Sequence, residues 1–353
     1  MNILIIGTGT IGEPLIGLLA DFRKKLGIDK VYFHKRTPLK DEIAKVNSLI
    51  SRGANLVVDP DKVKAFQKLG HESILVYQTA LELCDVVIDC TPAGNLAKES
   101  HYLSLSKRNK EKVFIAQGSE KGFGLPYAYG INDSALLESK HKFIQIVSCN
   151  THNISSLIKT IPPVMEDLLE GDFVCIRRAN DISQEGSFIA SPVVGEHKDY
   201  HFGTHHAKDA YDLFCTMYQH PNITSSAMKV NSQYMHIIRF NMKLKGHVTE
   251  KNIIRRFTSN QFTAITYKTL TNKVFSFGRD HGYYGRIFNH TVLSVPTLHT
   301  NHLNGTTNVT GFCYTPQDGN SLLSSVAAIL YSIHHKGYKK YMRFFDELLF
   351  KEI

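Results

Sequence analysis

The sequence predicts an α/β chain in which a doubly wound parallel sheet precedes a domain built on an antiparallel or mixed sheet. Up to residue 148, short apolar runs alternate with helical segments, which is the pattern of a parallel sheet with helices on both faces. After Cys149 the apolar runs become longer and alternate with polar residues, as in an antiparallel sheet with one packed face. The length of 353 residues suggests about two domains, because single cores stop growing near roughly 250 to 300 residues.

Seven apolar runs in the first region have the length and composition of buried parallel strands. They are NILIIG, KVYFHKR, NLVVD, SILVYQ, CDVVIDCTP, KVFIAQG and KFIQIVSC. Between the first two, the segment IGEPLIGLLADFRKK has apolar residues at helical spacing. The chain is therefore predicted to open with a β-α-β unit.

The region after Cys149 is predicted to combine longer strands with helices. The strands are expected at DFVCIRRA, YMHIIRFNMKLKG and HTVLSVPTL. The segment NISSLIKTIPPVMEDLLEG has the pattern of one helix that Pro162 and Pro163 interrupt. The last stretches, GNSLLSSVAAILYSIHH and YKKYMRFFDELLF, are helical by their period.

Composition and charge narrow the classes of function. The chain is 42% hydrophobic and 21% charged, as globular proteins are. Its net charge of +9 and pI of about 9.1 favour anionic partners. Nucleic acid is not expected, because no long lysine/arginine run or aromatic-basic repeat occurs. No apolar stretch reaches about 18 residues, so no membrane-spanning helix is predicted.

Cysteine and histidine spacing disfavours a metal site. The six cysteines lie far apart without a C-x-x-C motif, so neither a zinc site nor a disulfide framework is predicted. They are interpreted as reduced thiols of a cytoplasmic protein. His197, His201 and His205 have helical spacing, but Gly203 interrupts the helix that a shared metal ion would need, so no metal is expected.

A glycine motif near the N-terminus predicts dinucleotide binding. Gly7, Gly9 and Gly12 form G-x-G-x-x-G between a strand and a helix, as in a Rossmann domain. The first glycine allows a tight turn, the second lets the backbone approach a pyrophosphate, and the third permits close packing of helix and strand. The alternative is a glycine turn that only packs.

The residues that end the second predicted strand indicate whether NADP or NAD is the preferred cofactor. Lys35, Arg36 and Thr37 stand where an NAD-preferring site places an acidic residue for the ribose hydroxyls. Two cations and a hydroxyl suit a 2′-phosphate, so NADP is predicted to bind more tightly, with NAD possible. A solvated basic turn is the alternative.

Cys149 follows a predicted strand and precedes a predicted helix, which suits a nucleophile. A thiolate that adds to an aldehyde gives a thiohemiacetal, whose alkoxide expels hydride onto nicotinamide and leaves a thioester. N–H groups of a helix that starts at Asn150 or Thr151 would stabilise the thiolate and the oxyanion. His236, in the alternating run QYMHIIRF, is a candidate base. A sheet histidine with a structural role is the alternative.

Two cationic segments are candidates for binding phosphate. Arg177 and Arg178 end a predicted strand and should face opposite ways. One is expected to line a phosphate pocket, and the other to meet solvent or a salt bridge. His205 and His206, with Thr204, are interpreted as further anion ligands.

Together these motifs resemble the type II, archaeal-type glyceraldehyde-3-phosphate dehydrogenases. The resemblance covers residues 1 to about 257 well, and little of 258–310. The segments that carry it are GTGTIG, HKRTP, DVVIDCTPAGNLAK, AQGSEK, SCNT, IRRAND, THHAKDA, the Met-His pair before a strand, LKGHVTEKNIIRRF and GFCYTPQDGNSLLSSVAAI.

The resemblance implies a function and site residues. Its nucleophile matches Cys149, and the histidine that acts as base and stabilises the thiohemiacetal matches His236. The substrate and inorganic phosphate contacts match Ser148, Asn150, Thr151, Arg177, Arg178, His205 and His206. The cofactor site extends to Thr10, Ile11, Thr91, Pro92, Gln117 and Gly118. The implied reaction is phosphorylating oxidation of glyceraldehyde 3-phosphate to 1,3-bisphosphoglycerate with NAD(P), in a homotetramer.

The resemblance also implies a division of the chain. We expect a Rossmann domain over residues 1–148 and a catalytic domain over 149–316. A C-terminal helical segment over 317–353 is expected to pack on the Rossmann domain.

Three departures from the family pattern leave alternatives open. His152 and Asn153 replace a threonine and a glycine, Glu13 replaces a basic residue, and the segment before His236 is unusually polar. His152 either tunes the site or fills space. The alternatives are a phosphorylating dehydrogenase of another aldehyde or semialdehyde, and a non-catalytic protein on this fold that binds RNA through its basic charge.

Overall fold

A computed structural model of the chain describes residues 1–118, 120–180, 186, 188–316 and 318–353. The chain divides into two compact units. The first comprises Met1–Pro126, Leu136–Ile146 and Ser324–Phe344, and the second comprises Tyr127–Ala135, Val147–Leu323 and Phe345–Ile353. The expected boundary at residue 317 lies outside the described residues. No helix in the described part is both long and apolar enough to cross a membrane.

Sixteen strands form two sheets in the part of the chain that the structure describes. They are β1 (Asn2–Ile6), β2 (Lys30–His34), β3 (Asn55–Val58), β4 (Leu75–Val76), β5 (Val86–Asp89), β6 (Val113–Gln117), β7 (Leu125–Tyr127), β8 (Phe143–Ile146), β9 (Leu168–Arg177), β10 (Val193–Val194), β11 (Ile223–Lys229), β12 (His236–Lys245), β13 (Thr263–Thr266), β14 (Thr291–Ser294), β15 (His299–Leu303) and β16 (Thr306–Thr315).

The described part of the chain contains thirteen α-helices. They are α1 (Gly12–Leu26), α2 (Ile43–Ser51), α3 (Val63–Lys68), α4 (Tyr77–Leu83), α5 (Gly94–Ala97), α6 (Leu103–Arg108), α7 (Asp133–Glu138), α8 (Cys149–Thr160), α9 (His205–Cys215), α10 (Glu250–Ser259), α11 (Thr271–His281), α12 (Leu322–His334) and α13 (Tyr338–Met342).

The first sheet has the order β4-β3-β2-β1-β5-β6-β8-β7. The pairs from β4 through β8 are parallel, and the strand interiors are almost fully buried apolar residues. This confirms the predicted doubly wound, Rossmann-like sheet. The strand order reverses between β1 and β5, which is where such sheets bind ligands at their carboxyl ends.

The second sheet has the order β10-β11-β9-β12-β16-β14-β13, and β15 pairs with β16. Most pairs are antiparallel, but β9 with β11 and β13 with β14 are parallel. This confirms the expected antiparallel or mixed sheet. A continuous apolar core packs α8, α9 and α10 against its inner face.

Four predicted elements differ from the observed ones. The strand predicted at HTVLSVPTL extends only over Thr291–Ser294, because a 3-10 turn that contains Pro296 follows it. α8 ends at Thr160, and the residues after the two prolines form a short 3-10 turn, Met165–Asp167, and then β9 rather than more α-helix. Proline lacks an N–H group and favours extended backbone before it, so the helix does not resume. The strand predicted at SILVYQ is only two residues long, because α4 begins at Tyr77. The final helical stretch is the short α13 followed by a 3-10 turn.

The helix α12 is tied to the first sheet by side-chain hydrogen bonds. The buried Gln117 amide at the end of β6 donates to the Ser325 hydroxyl at 2.7 Å. At the other end of the helix, His334 Nε2 donates to the Leu26 carbonyl at 2.9 Å. These contacts explain why Ser324–Phe344 belong to the first unit, although they lie some two hundred residues further along the chain.

Candidate functional site

The glycine loop between β1 and α1 has the geometry of an anion-binding turn. Gly7 has a φ of 93°, a conformation that glycine adopts without strain. A Cβ at Gly12 would overlap the Gly7 carbonyl, whereas a Cβ at the exposed Gly9 would meet, apart from its chain neighbours, no atom of the described residues within 4 Å. Gly7 and Gly12 are therefore required by the fold, and Gly9 leaves open the surface that a pyrophosphate would approach. The part-exposed Thr10 and Ile11 lead into α1.

The basic turn after β2 separates its two cations. Lys35 is buried and forms a short ion pair with Glu42, which also accepts a hydrogen bond from Lys45 at 2.6 Å. Burial acts to raise the pKa of Glu42, but the hydrogen bonds from these lysines leave it below its usual value. Arg36 and Thr37 are exposed. Of the two cations, Arg36 is thus the one that faces solvent.

The ends of β5 and β6 hold the other expected cofactor residues. The Asp89 carboxylate accepts hydrogen bonds from the Thr91 backbone N–H at 2.9 Å and hydroxyl at 2.6 Å. This holds the Thr91 methyl against Gly7, and Pro92 beside it is exposed. The Gln117 amide donates its hydrogen bond to Ser325 of α12. Gly118, with a φ of 70°, has open space where a side chain would lie.

Cys149 is the first residue of α8, and Ser148 is its N-cap. The Ser148 side chain accepts a hydrogen bond from the Thr151 backbone N–H at 3.3 Å and contacts the Thr151 hydroxyl at 2.9 Å. The first N–H groups of a helix have no carbonyl partner within it and carry positive partial charge. The side chain of Cys149 is therefore attached where a helix stabilises negative charge.

Burial distinguishes Cys149 from most other cysteines of the chain. Burial raises the pKa of Cys84 and Cys313 to about 12 and raises those of Cys90 and Cys175 as well. Such thiols stay protonated and unreactive near neutral pH. Cys149 is partly exposed at the start of its helix, which favours it as the nucleophile.

His236 begins β12 and is held by a backbone group. The Arg178 N–H donates to His236 Nδ1 at 2.9 Å. Burial, followed by the nearby charges of Arg178, Arg177 and His206, holds the pKa of His236 well below its usual value. The ring is therefore neutral, and with Nδ1 accepting, its proton lies on Nε2. In this arrangement Nε2 is a hydrogen-bond donor.

Thr315 connects the histidine strand with the cysteine helix. It lies directly opposite His236 in the pairing of β12 with β16. Its hydroxyl accepts from the Asn153 amide at 2.8 Å and donates to the Asn150 side-chain oxygen at 3.4 Å. Both asparagines belong to the first turns of α8 and are buried. The second unit thus brings His236 and the start of the Cys149 helix to neighbouring positions.

Asn320 holds the same helix from another side. Its buried amide donates to the Cys149 carbonyl at 2.9 Å and to the His290 carbonyl at 3.2 Å. Sequence reasoning assigned no role to Thr315 or Asn320. Thr315 is the last residue of β16 and Asn320 lies five residues further on. In this segment, TPQDGN, the sequence offers no signal beyond a polar run at the end of a strand.

The adjacent arginines face opposite ways, as β geometry requires. Arg177 is exposed, whereas the Arg178 side chain is 2% exposed and lies 3.7 Å from the Asp318 carboxylate. Arg178 lines a small cavity of about 30 Å³ with Asp318, Arg286 and several apolar side chains. One arginine therefore meets solvent and the other a salt bridge within a cavity.

The two histidines after Thr204 begin α9. His205 is exposed and His206 is buried, with their ring centroids 4.0 Å apart. Gly203, with a φ of 70°, lies before the helix starts, so His197 and His201 are not on it. Within the described ranges, no three His, Cys, Asp or Glu side chains cluster to hold a metal ion.

His152 lies inside the second unit rather than at its surface. It is fully buried, and its ring packs edge-on against His290 at 5.2 Å between centroids. Burial, opposed by hydrogen bonds to the Ser148 and Val147 carbonyls, lowers its pKa to about 4. The ring is therefore neutral near pH 7 and belongs to the first turn of the same helix as Cys149.

Comparison with known proteins gives a consistent set of relatives. No protein-family model matches the chain. It is 27% identical over 271 residues to glyceraldehyde-3-phosphate dehydrogenase 1 of Methanosarcina acetivorans, which covers 73% of this chain and 72% of that protein. It is 25% identical over 296 residues to glyceraldehyde-3-phosphate dehydrogenase 2 of Methanosarcina barkeri, covering 80% and 78%.

A third relative matches a shorter region at higher identity. The glyceraldehyde-3-phosphate dehydrogenase of Methanothermus fervidus is 30% identical over 189 residues, which covers 52% of this chain and 51% of that protein. The resemblance that the motifs predicted is therefore confirmed, and the chain is a relative of the archaeal-type glyceraldehyde-3-phosphate dehydrogenases.

Proposed function

We propose that the protein is a phosphorylating glyceraldehyde-3-phosphate dehydrogenase that works through a thioester on Cys149. The observation that carries this proposal is the placement of Cys149 as the first residue of a capped helix, linked through Thr315 to the strand that begins with His236. The names of the relatives support an oxidoreductase that uses a nicotinamide dinucleotide.

The proposed first half-reaction oxidises the aldehyde. The thiol proton passes to solvent, and the Cys149 thiolate adds to the aldehyde carbon to give a thiohemiacetal alkoxide. The alkoxide re-forms its C=O bond as hydride leaves that carbon, and a nicotinamide dinucleotide held at Gly7, Gly9 and Gly12 would be the oxidant that accepts the hydride. The product on the enzyme is a thioester.

His236 is proposed to stabilise the alkoxide by donating from Nε2. The Arg178 N–H occupies Nδ1, so a neutral ring presents a proton at Nε2 rather than a lone pair. This supports the stabilising half of the role expected for His236. Action as the base would require the bond from Arg178 to break.

The second half-reaction transfers the acyl group to inorganic phosphate. A phosphate oxygen attacks the thioester carbon and the Cys149 thiolate leaves, which gives an acyl phosphate. One of the two arginines, Arg177 or Arg178, is proposed to hold the inorganic phosphate together with His205 or His206. The charges of Arg178, Arg177 and His206 act on His236, which supports their placement around the same position.

NADP is proposed as the preferred cofactor, with NAD as a weaker alternative. Support comes from the exposed Arg36 and Thr37 after β2, at the position where a 2′-phosphate is read in such folds. Glu42 lies at the same turn but forms ion pairs with Lys35 and Lys45.

The proposed function is tested by following NADPH formation with a panel of aldehydes, each with and without inorganic phosphate. We expect sustained turnover with glyceraldehyde 3-phosphate only when phosphate is present. Faster phosphate-dependent turnover with an unphosphorylated semialdehyde would assign a different substrate. Sustained turnover that does not depend on phosphate would overturn phosphorolysis.

A further inference from the structure

His152 makes a contact that a space-filling side chain would not. Its Nδ1 lies 3.0 Å from the Ser148 carbonyl oxygen. Because a carbonyl oxygen only accepts hydrogen bonds, Nδ1 must carry the proton and donate. The same carbonyl also accepts from the His152 backbone N–H at 2.9 Å, so one side chain supplies a second donor to a carbonyl that the helix already uses.

The Ser148 carbonyl belongs to the peptide group that contains the Cys149 N–H. Hydrogen bonds to the oxygen of a peptide group polarise it and strengthen its N–H as a donor. The Cys149–Asn150 peptide group is polarised in the same way, because the Asn320 amide donates to the Cys149 carbonyl at 2.9 Å. Two consecutive peptide groups at the start of α8 therefore each have a buried side-chain donor on their oxygen.

The N–H groups of these two peptides belong to Cys149 and Asn150, in the first turn of α8. Such N–H groups point out of the helix start and carry its positive partial charge. An oxygen on the carbon attached to Cys149 Sγ would lie near this helix start. Donors aimed at that developing charge are among the largest contributions to acyl-transfer catalysis.

We infer that His152 is a positioning residue, which polarises the Ser148–Cys149 peptide group and so strengthens the backbone N–H that holds the oxyanion of the thiohemiacetal and the thioester carbonyl. This inference rests on the proposed function of Cys149 as the nucleophile. The ring is suited to the role because it is neutral near pH 7, with its single proton on Nδ1, which the Ser148 carbonyl shares with the Val147 carbonyl.

The test compares variants that differ in one donor atom. His152→Leu and His152→Met lack the donor, and the second adapts more easily if the first does not fold. His152→Asn places an amide N–H near the position of Nδ1. His290→Phe is the matched control, because His290 packs on His152 and Phe262, whereas its ring nitrogens form no hydrogen bond within the described part of the chain.

Each folded variant is acylated with an arylacryloyl imidazole, and the C=O stretch of the thioester on Cys149 is recorded. We expect the stretch to move to higher wavenumber in the donor-free variants and to stay in place in His152→Asn and His290→Phe. The rate of hydride transfer should fall about tenfold without the donor, which is less than the loss of a whole oxyanion donor causes. His152→Asn should recover to within about threefold of the parent, given its amide donor.

An unchanged stretch in the donor-free variants would overturn the inference. So would a loss in His290→Phe or His152→Asn as large as that in His152→Met, since packing would then explain the effect. The acylation needs no aldehyde and no cofactor. A stretch that responds as expected in a protein that oxidises no aldehyde would therefore reject the proposed function and leave the role of His152 standing.

Discussion

At the scale of single residues, the tautomer of His236 determines what it can do. The Arg178 N–H fixes Nδ1 as an acceptor at 2.9 Å, and burial with the neighbouring positive charges lowers the pKa of the ring. A neutral imidazole with its proton on Nε2 donates to an alkoxide but takes no proton there. The pH dependence of the reaction should reflect this difference.

The variants His236→Gln and His236→Phe test the donor role. An amide donor from Gln should retain more activity than Phe, which we expect to lower the rate of hydride transfer by about 100 to 1,000-fold. Because the lowered pKa keeps the ring neutral above its usual 6.5 and for some distance below, His236→Gln should leave the shape of the pH–rate profile between pH 6 and 8 unchanged. The measurement is single-turnover NADPH formation at each pH.

An inflection near pH 6.5 in the parent that disappears in His236→Gln would instead identify His236 as the base. In that case activity would fall below the inflection, because protonation would remove the lone pair that a base needs.

The contacts around Cys149 show where residue-level prediction from the sequence ends. Cys149 was identifiable from its place between a strand and a helix. Thr315 and Asn320 contact this helix from 165 and 171 residues away. No local pattern distinguishes such residues from other polar residues after a strand, since only the folded sheet brings them to the helix.

At the scale of elements, two glycines of the loop after β1 should have different roles: Gly12 is needed for folding and Gly9 for binding the cofactor. Gly12→Ala should lower the melting temperature of the protein without cofactor, because the new methyl overlaps the Gly7 carbonyl. Gly9→Ala should leave the melting temperature nearly unchanged, since its methyl has open space among the residues that the structure describes. It should nevertheless weaken dinucleotide binding at least about tenfold by blocking the pyrophosphate. Thermal unfolding and cofactor titration on the two variants check both expectations.

Equal affinity of Gly9→Ala and the parent for the dinucleotide would show that the pyrophosphate lies elsewhere. Gly9→Ala is its own control for folding, because the melting temperature is measured on the same preparation.

The basic turn after β2 predicts which cation selects the cofactor. We expect Arg36→Ala to raise the dissociation constant for NADP about tenfold and to change that for NAD little, because an exposed arginine can pair with the 2′-phosphate. Lys35→Ala should affect both cofactors alike, because Lys35 is bound to Glu42 and its loss alters the turn itself. Equal changes for NADP and NAD in Arg36→Ala would remove the turn from cofactor selection.

Element boundaries depended on how distinctive their sequence signal was. The continuous apolar runs of the first sheet have few alternatives to a buried strand, and most appear as predicted. The segment VMEDLLEG is compatible with both a helix and a strand in its apolar spacing. The two prolines and the pairing of β9 with β11 and β12 favour the strand. This pairing involves residues that are distant in the sequence, so local spacing does not predict it.

At the scale of the molecule, three buried histidines in the second unit make its stability depend on pH. Burial is the main cause that lowers the pKa of His152 to about 4, and it also holds the pKa values of His236 and His290 well below their usual value. In the unfolded chain each would titrate near 6.5. A lowered folded-state pKa gives stability that is complete above pH 6.5 and is lost as the pH falls toward the folded value.

We therefore expect the free energy of unfolding to decrease between pH 7 and pH 5, with about 2 kcal/mol of the decrease due to His152. The variant His152→Met should show a correspondingly smaller decrease. Urea denaturation at the two pH values measures both. Stability that stays constant or rises from pH 7 to pH 5 would contradict the neutral, buried state of these rings.

The fold class was predictable for the whole molecule, because alternating strands and helices and the glycine motif depend on local sequence. The homotetramer and the domain boundaries that the resemblance implies stay predictions, as does the cytoplasmic location that the cysteines indicate. Surfaces that join copies of a chain leave no periodic pattern, so the sequence gives little physical basis for them.

The central claim is that aldehyde oxidation stops at a thioester on Cys149 until phosphate removes the acyl group. A rapid-mixing experiment with glyceraldehyde 3-phosphate and NADP, without phosphate, measures it directly. We predict a burst of one NADPH per active site, a 3-phosphoglyceroyl thioester on the Cys149 peptide, and no burst in Cys149→Ser. Continuous NADPH formation without phosphate, or a burst that survives Cys149→Ser, would contradict the account.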